Sequence, residues 1–411
     1  MKNFEKYLIE SKNTHMEHLE DMVLNGGADG ARQALQFLQS FRDALSGRSP
    51  KKLNTTVKWD GAPAIFVGTD PSDGKFFVAK KGIFNKDPKV YKTKADVDAD
   101  TSGDLADKLN LALKLLKGLN ITGVIQGDFL YSGNDLKTAT VDGVKYITFH
   151  PNTLVYAIPY DSTMGRKIRA SSMGIVWHTQ YRGTSFESMS ASYGVNVKSL
   201  GQARGVWQIG AEYEDVSGTA LMTQAESLAV TKHLSMAGKA FRKCNAMMMK
   251  NIASDEKLLM YVKVHHNTRI REGQEIKNPV AYTKSLVQFL MAKEAAEVKK
   301  LKTEAGQEKK KKAFEPIRKF IANSNMSQLA AIFELQMHLV HAKKLIITKM
   351  NEAAKAKVFL KTAKGFKITG EEGYVAIDHI AGAVKLVDRL EFSYANFSPE
   401  IIKGWQTDTR R

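Results

Sequence analysis

The spacing of apolar residues divides the chain into segments of different periodicity. Between Ala34 and Leu45, apolar side chains recur every three or four positions after a Gly-Gly break, which predicts a helical segment over residues 1–50. From 51 to about 215, short apolar runs alternate with turn residues, a pattern typical of β-strands, and one helix near Leu105 to Leu119 interrupts them. The predicted strands are TTVKWDGAPAIFVG, KFFVAKKGIF, GVIQGDFLY, VKYITF, TLVYAIPY, MGIVWHTQY and GVWQIGAEY.

The helical period returns from about Thr219. An apolar stripe at intervals of three and four follows the N-cap candidate Ser327, and the helices of this region are expected to pack together as a bundle. The stripe consists of Ile332, Leu335, Leu339, Ala342, Ile346 and Met350. Strand-like sequence then reappears in GEEGYVAIDHIAGAVKLVDRLEFSYANF.

These changes of period predict an α+β protein in which one β-rich domain is split by a helical insertion. The predicted parts are an N-terminal helical segment (1–50), the first part of the β-rich domain (51–215), the insertion (216–360) and the last strands of the domain (361–411).

The composition is that of a globular protein. The 411 residues are 43% hydrophobic, which is enough for a large core and excludes a disordered chain. Cys244 is the only cysteine, so no internal disulfide can form. No run of eighteen apolar residues occurs, and the first twenty residues are charged, which argues against a membrane span or a signal peptide. We therefore expect a soluble protein of the reducing cytoplasm, with no membrane partner.

Positive charge is concentrated in one region. The formal net charge is +18, and residues 221–360 hold 26 Lys plus Arg against 12 Asp plus Glu, or +14 of that excess. Such an excess favours sequence-independent contact with nucleic-acid phosphates, either RNA or DNA, and the run Lys309 to Lys312 is the first candidate. Two alternatives stay open: a solvated helix face, and an apolar stripe that docks a partner protein or a second copy of the chain. The oligomeric state also stays open.

The sharpest local feature is Val57-Lys58-Trp59-Asp60-Gly61, in which a lysine leaves a strand and enters an Asp-Gly turn. A lysine in this position can project into a cleft, where burial or neighbouring cations would favour its neutral, nucleophilic form. Taken alone, a solvated strand-end lysine is the better interpretation of these five residues.

Four further motifs follow Lys58 in the chain, each on a predicted strand. They are Ala79-Lys80-Lys81-Gly82, Gln126-Gly127-Asp128-Phe129-Leu130, Glu372-Gly373-Tyr374-Val375 and Val384-Lys385-Leu386-Val387. Together with Lys58-Trp59-Asp60-Gly61 they resemble, in order, the motifs of the covalent nucleotidyltransferases, the superfamily of polynucleotide ligases and messenger-RNA capping enzymes. The resemblance covers roughly residues 51–160 and 365–395 and does not extend to the helical insertion.

The resemblance is closest to the RNA-ligase branch, in which E-G-Y-V precedes a lysine strand and a Phe-Ser pair, here Phe392-Ser393. Only 24 residues follow Val387, too few for the oligonucleotide-binding barrel that DNA ligases and capping enzymes carry after this strand. The N-terminal segment and KWDGAPA are also similar to proteins of large tailed phages, for which the compartment would be the host cytoplasm.

This resemblance implies an ATP-grasp-like ligase domain of antiparallel sheets with a nucleotide cleft between them, and ATP and Mg²⁺ as cofactors. It implies strand joining in three steps: Lys58 forms a lysyl-AMP, the AMP passes to a 5′-phosphate, and a 3′-hydroxyl displaces it. Lys80 and Lys385 would face phosphate oxygens, and Glu372 and Asp128 would hold Mg²⁺.

The remaining implied contacts border the nucleotide. Asp60 and Asp128 would lie beside it, Asp128 at the ribose or the metal, and Gly61 and Gly82 would let the backbone approach it closely. Tyr156 is the candidate for stacking on the base, with Phe149 as its rival. For both aromatic residues, ordinary sheet core is an equally good interpretation.

The sequence departs from the family pattern at three positions. Pro63 stands where the family often has arginine, Val387 replaces the second lysine of K-x-K, and Asp128 replaces a glutamate. Because of these departures, an alternative function stays open, that of a catalytically silent ligase-fold protein that binds nucleic acid or is associated with a virion. No metal is predicted at the histidines, because His265, His266, His338 and His341 lack partner carboxylates at ligand spacing and are expected on the surface.

Overall fold

The computed structural model describes residues 17–49, 55–213, 220–378 and 382–406, and these ranges contain twelve α-helices and fourteen β-strands. The helices are α1 (Met22–Asn25), α2 (Gly27–Leu45), α3 (Lys94–Asp100), α4 (Gly103–Leu115), α5 (Thr163–Arg169), α6 (Gln224–Lys243), α7 (Ala246–Ser254), α8 (Glu256–Arg271), α9 (Pro279–Lys299), α10 (Glu304–Phe320), α11 (Met326–Asn351) and α12 (Arg389–Phe397). The strands are β1 (Thr55–Val57), β2 (Ala64–Thr69), β3 (Phe76–Ala79), β4 (Val124–Ser132), β5 (Lys137–Val141), β6 (Val144–Phe149), β7 (Leu154–Pro159), β8 (Met173–Arg182), β9 (Ser190–Tyr193), β10 (Val206–Gly210), β11 (Lys357–Thr362), β12 (Gly365–Thr369), β13 (Tyr374–Asp378) and β14 (Gly382–Leu386).

The strands form three sheets. The largest has the order β10-β8-β4-β2-β3, with β9 added against β8; the second has the order β12-β11-β7-β6-β5; the third is β1-β13-β14. Neighbouring strands run antiparallel except β10 and β8, which are parallel. This mixture of helices and mostly antiparallel sheets confirms the predicted α+β class. Strands from both sides of the helical region share sheets, since β11 pairs with β7 and β13 pairs with β1.

The helical region forms a bundle. Its first helix, α6, begins at a capping box in which the Thr223 hydroxyl accepts from the Glu226 N–H and the Glu226 carboxylate accepts from the Thr223 N–H. The predicted apolar stripe on α11 is buried throughout, in one core that also contains residues of α1 and α2. A buried stripe has no free face for a partner, so the alternative of protein docking through it is wrong. The N-terminal segment and the insertion therefore share one core, which the sequence did not indicate.

Two sequence predictions fail at the edges of this region. Strand β11 begins at Lys357, inside the range predicted as helical, and LEFSYANF forms helix α12 instead of a strand. The Asp388 carboxylate accepts hydrogen bonds from the N–H groups of Leu390 and Glu391, which caps the first turn of α12.

The predicted surface position of the four histidines is also wrong. His265, His266 and His338 are 3%, 6% and 4% exposed, and His341 is half-buried. None of the helices in the described ranges has the length and apolar character needed to cross a bilayer.

Candidate active site

Lys58 lies at the end of the smallest sheet. Strand β1 pairs with β13, and the Lys58 N–H continues this pairing by donating to the Gly373 carbonyl at 2.9 Å. The Lys58 ammonium forms an ion pair with the Glu372 carboxylate. The Lys58 side chain is 34% exposed and that of Glu372 only 9%, so the lysine can reach solvent while the carboxylate is largely enclosed.

Lys385 lies on the same face of this sheet. Lys385 on β14 is paired with Val375 on β13, and Val375 is paired with Thr56 on β1. Thr56 lies two residues before Lys58 in the chain. Because side chains two residues apart in a strand share a face, Lys58 and Lys385 lie on one side of the sheet. Burial, together with the positive charge of Lys58, lowers the pKa of Lys385. The structure thus brings together three motif residues that the sequence resemblance linked.

The close pairing of these strands requires a glycine at position 373. Its φ is +148°, and a Cβ on this residue would lie 2.6 Å from Cγ2 of Val387 and 2.7 Å from the Leu386 carbonyl oxygen. Val387, which occupies the place of the second K-x-K lysine, is 2% exposed. The position is therefore packed against the strand ends and holds no cation.

Asp60 holds a neighbouring loop in place. Its carboxylate accepts hydrogen bonds from the Asn152 side chain and from the N–H groups of Thr153 and Leu154, at 2.6 to 2.8 Å. Its own N–H donates to the Tyr156 hydroxyl at 2.7 Å. Since both carboxylate oxygens already bind protein groups, the structure gives Asp60 a positioning role in place of the expected contact with a nucleotide.

Asp128 approaches the turn after Lys58 from strand β4. A Cβ on Gly61 would lie 2.5 Å from Cβ of Asp128, so glycine is required for this close approach. The Asp128 carboxylate also lies 3.7 Å from Nε2 of His178, a neighbour that the sequence did not suggest. The charge of Asp128 helps to raise the pKa of Glu372, which places both carboxylates in one electrostatic site.

Lys80 and Gly82 have other surroundings. The Lys80 ammonium pairs with the Asp100 carboxylate at 3.0 Å, and Asp100 also binds the Lys89 ammonium and the Tyr91 hydroxyl. A Cβ on Gly82 would have ordinary contacts, the nearest at 3.6 Å, so no close backbone approach requires a glycine there. Lys80 thus has a carboxylate partner of its own, and the phosphate contact of Lys80 and the nucleotide contact of Gly82 that the resemblance implied stay predictions.

The two aromatic candidates lie in a core. Tyr156 and Phe149 are 0% and 1% exposed, and their ring centroids are 5.4 Å apart. Tyr156 also packs against Trp59 at 4.8 Å and accepts the Asp60 N–H. Burial raises the pKa of Tyr156 far above its usual range. Both rings are therefore placed as sheet core, and neither presents a free face for a base.

An acidic cavity opens beside this cluster. Five carboxylates line it: Asp60, Glu371, Glu372, Asp388 and Glu391. Burial raises the pKa of Glu371 to about 8, assisted by the charge of Glu372, and burial raises the pKa of Glu372 to about 7 against the opposing effect of Lys58. One oxygen of each of these two glutamates is buried with no hydrogen-bond partner among the described residues.

Sequence reasoning missed three residues of this site. Glu371 was visible only as the first of two adjacent glutamates, a pair that usually lies in solvent. Nothing local marked His178 or Lys403, although the buried Lys403 ammonium donates to the Thr153 hydroxyl at 3.1 Å and so supports the loop that holds Asp60.

Glu371→Gln is expected to change how stability depends on pH. The raised pKa means that the folded chain binds more protons than the unfolded chain between pH 4.5 and about 8, so the free energy of unfolding falls as pH rises through that window. Removing this carboxyl should reduce the fall between pH 5 and 8 by about 3 kcal/mol. Urea unfolding at several pH values, in the presence of a chelator, measures the free energy of unfolding as a function of pH. The exposed Glu304→Gln should match wild type, and identical pH profiles for all three proteins would contradict the assignment.

Comparison with known proteins adds a family but no activity. Residues 13–401 match the model of a family of unknown function, DUF6267. The chain belongs to this family. No curated protein and no solved structure matches it significantly. The DUF6267 match includes Lys58, Asp128, Glu372 and Lys385 and all the helices between them. The family model therefore covers the helical region as well as the two parts of the β-rich region.

Proposed function

We propose that this protein is an ATP-dependent polynucleotide ligase of the RNA-ligase type that acts through a lysyl-AMP on Lys58. The observation that carries the proposal is that Lys58 pairs with Glu372 and shares a sheet face with Lys385, although the whole helical region separates Lys58 from the other two in sequence. A strand-end lysine needs no such neighbours if it is only solvated. A lysine that becomes a nucleophile needs a proton acceptor and a second cation for phosphate.

Glu372 suits the role of proton acceptor. In the first step the Lys58 nitrogen forms a bond to the α-phosphorus of ATP, the bond to pyrophosphate breaks, and the ammonium group loses two protons. The first proton can pass to the Glu372 carboxylate oxygen that contacts the ammonium, since this oxygen lies within the reach that a general base needs. The second can leave to solvent through the exposed side of Lys58.

Lys385 suits the role of phosphate-binding cation. It shares the sheet face of Lys58 and has no opposite charge on its own strand, Gly382–Leu386. Its N–H donates to the Glu17 carbonyl at 3.0 Å, which anchors the backbone on the outer side of β14. A cation fixed in this way can neutralise charge that develops on the α-phosphate.

The carboxylates fit a divalent cation. The buried Glu372 oxygen without a hydrogen-bond partner and the nearby Asp128 carboxylate are hard oxygen ligands of the kind that Mg²⁺ prefers, and these two residues would hold it. When bound, Mg²⁺ would neutralise phosphate charge. Because carboxylates outnumber lysines around the cavity, nucleotide binding without a divalent cation should be weak.

A catalytically silent ligase-fold protein is the second candidate, and specific features favour it. Lys80 is engaged by Asp100, Tyr156 and Phe149 are buried, and Val387 replaces a motif lysine within the packed strand ends. Such a protein would keep the Lys58–Glu372 pair only as a structural contact.

Covalent labelling distinguishes the two candidates. The full-length protein, incubated with Mg²⁺ and ATP labelled at the α-phosphate, is expected to keep the label through denaturation and to lose it in acid, as a phosphoramidate does. ATP labelled at the γ-phosphate should leave no label, since pyrophosphate departs. Labelled enzyme should then transfer AMP to a 5′-phosphorylated RNA strand. Absence of label with ATP, GTP and NAD would favour the silent protein.

Nucleic-acid contact by residues 221–360 stays a prediction. Part of the charge is already paired within the bundle, since Lys310 binds Glu297, Lys311 binds Glu308 and Arg318 binds Glu294. Lys309 and Lys312, from the same run on α10, remain the residues from which phosphate contact is expected.

A further inference from the structure

Three histidines meet between two helices of the bundle. His233 lies on α6, and His338 and His341 lie three residues apart on the facing side of α11. One ring nitrogen from each histidine lies within 4.8 Å of the others. His338 is buried, while His233 and His341 are partly exposed, so the group is enclosed on one side and open to solvent on the other.

Two of the three nitrogens have the separation of metal ligands, and the third lies within 4.8 Å of both. Nδ1 of His233 lies 3.4 Å from Nδ1 of His338. Two ligands bound to one tetrahedral Zn²⁺ at 2.0–2.1 Å lie about 3.3–3.4 Å apart, so these two atoms already have the required separation. A hydrogen bond could explain this contact alone, but Nδ1 of His341 is buried with no partner among the described residues. His341 therefore has a ring nitrogen that no protein hydrogen bond satisfies, and one of its two ring nitrogens belongs to the cluster.

At His233 and His338 the surroundings favour the neutral imidazole, the form that binds metal. Burial lowers the pKa of His233, assisted by the charges of His341 and Lys232. Burial also lowers the pKa of His338, where Lys243 acts in the same direction and Glu334 against it. Lys243 and Glu334 pair with each other at 3.1 Å, so neither adds a full unbalanced charge beside the rings.

We propose that His233, His338 and His341 bind one Zn²⁺ ion, with water at the fourth position, and that the ion clamps α6 to α11. Three uncharged nitrogen donors suit Zn²⁺ and its neighbours in the first transition row, whereas Mg²⁺ and Ca²⁺ require oxygen ligands. The open side of the cluster leaves room for the water. This site is separate from the carboxylate cavity and does not depend on the proposed ligase activity.

The clamp has a structural consequence. α6 and α11 pack along each other in the bundle core, and α11 leads directly to β11 and the motif strands β13 and β14. A metal that binds only the folded arrangement stabilises it in proportion to its affinity. Zn²⁺ should therefore raise the unfolding temperature of the chelator-treated protein by at least about 3 °C.

Metal titration tests the site. Full-length protein without a histidine tag, stripped with a chelator and dialysed, is expected to bind one Zn²⁺ per chain. Co²⁺ in the same site should show the strong visible absorption of four-coordinate cobalt with nitrogen ligands. His341→Gln and His233→Gln should each weaken Zn²⁺ binding by at least about tenfold and remove the rise in unfolding temperature.

His265→Gln is the matched control. His265 lies in the same bundle but has its own partner, the Ser285 hydroxyl, at 3.0 Å from Nε2. This variant should lower stability with and without Zn²⁺ alike and keep wild-type affinity. The proposal is overturned if wild type binds no stoichiometric Zn²⁺, if His341→Gln binds as wild type does, or if His265→Gln weakens binding as much as His341→Gln.

Discussion

Lys58→Ala is expected to eliminate covalent labelling by ATP, with a loss of at least about 1,000-fold in the rate of lysyl-AMP formation. The reason is chemical: the variant lacks the only nitrogen that lies at the Glu372 carboxylate in the described part of the chain. The rate of label incorporation with Mg²⁺ and saturating ATP measures the rate of lysyl-AMP formation.

Lys58→Arg refines the same test. Arginine keeps a positive charge that can pair with Glu372, but its guanidinium stays protonated and is a poor nucleophile. This variant should fold like wild type and still fail to label. Lys81→Ala, which removes an exposed lysine near the sheet edge, should label at the wild-type rate. Labelling of Lys58→Ala above a few per cent of wild type would show that another residue carries the nucleotide.

The sequence predicted the local elements of this site well. Short apolar runs between turn residues identified β2, β3, β4, β6, β7, β8 and β10, because strand burial follows directly from such runs. The meeting of β1 with β13 and β14 is different. No local pattern indicates that Thr55 pairs with Ala376 across the whole helical region, and only the resemblance of the motifs suggested it.

Burial was the property that the sequence could not provide. Glu371 and Lys343 are charged residues, which usually lie in solvent, yet they are 7% and 1% exposed. The motif resemblance predicted that Asp60 contacts a nucleotide, whereas in the structure its carboxylate binds the N–H groups of a neighbouring loop. The histidine cluster joins residues from two helices far apart in the chain, so spacing within one helix could not reveal it.

A buried ion pair joins the start of the described chain to helix α11, and we expect its loss to lower stability strongly. The Lys343 ammonium lies 2.6 Å from a Glu20 carboxylate oxygen, and each side chain is 1% exposed. The Gln336 side chain donates to the Glu20 carbonyl at 3.0 Å, which fixes the same turn. The Glu17 carbonyl, three residues earlier, accepts the Lys385 N–H. The ion pair therefore supports the segment that borders the candidate active site.

Lys343→Met is expected to lower the free energy of unfolding by about 3 kcal/mol, because the buried Glu20 carboxylate loses its closer cation and keeps the more distant Arg389, at 3.8 Å. Chemical unfolding at pH 7 measures the change. The double variant Glu20→Gln with Lys343→Met removes both charges and should recover most of the loss, since an apolar replacement of a buried pair is often close to neutral. Lys319→Met breaks an exposed pair with Glu315 on α10 and should cost less than about 1 kcal/mol.

A cost for Lys343→Met as small as that of Lys319→Met would contradict the burial of the pair. A double variant as unstable as the single one would show that packing at Lys343, and not an unpaired charge, determines the effect.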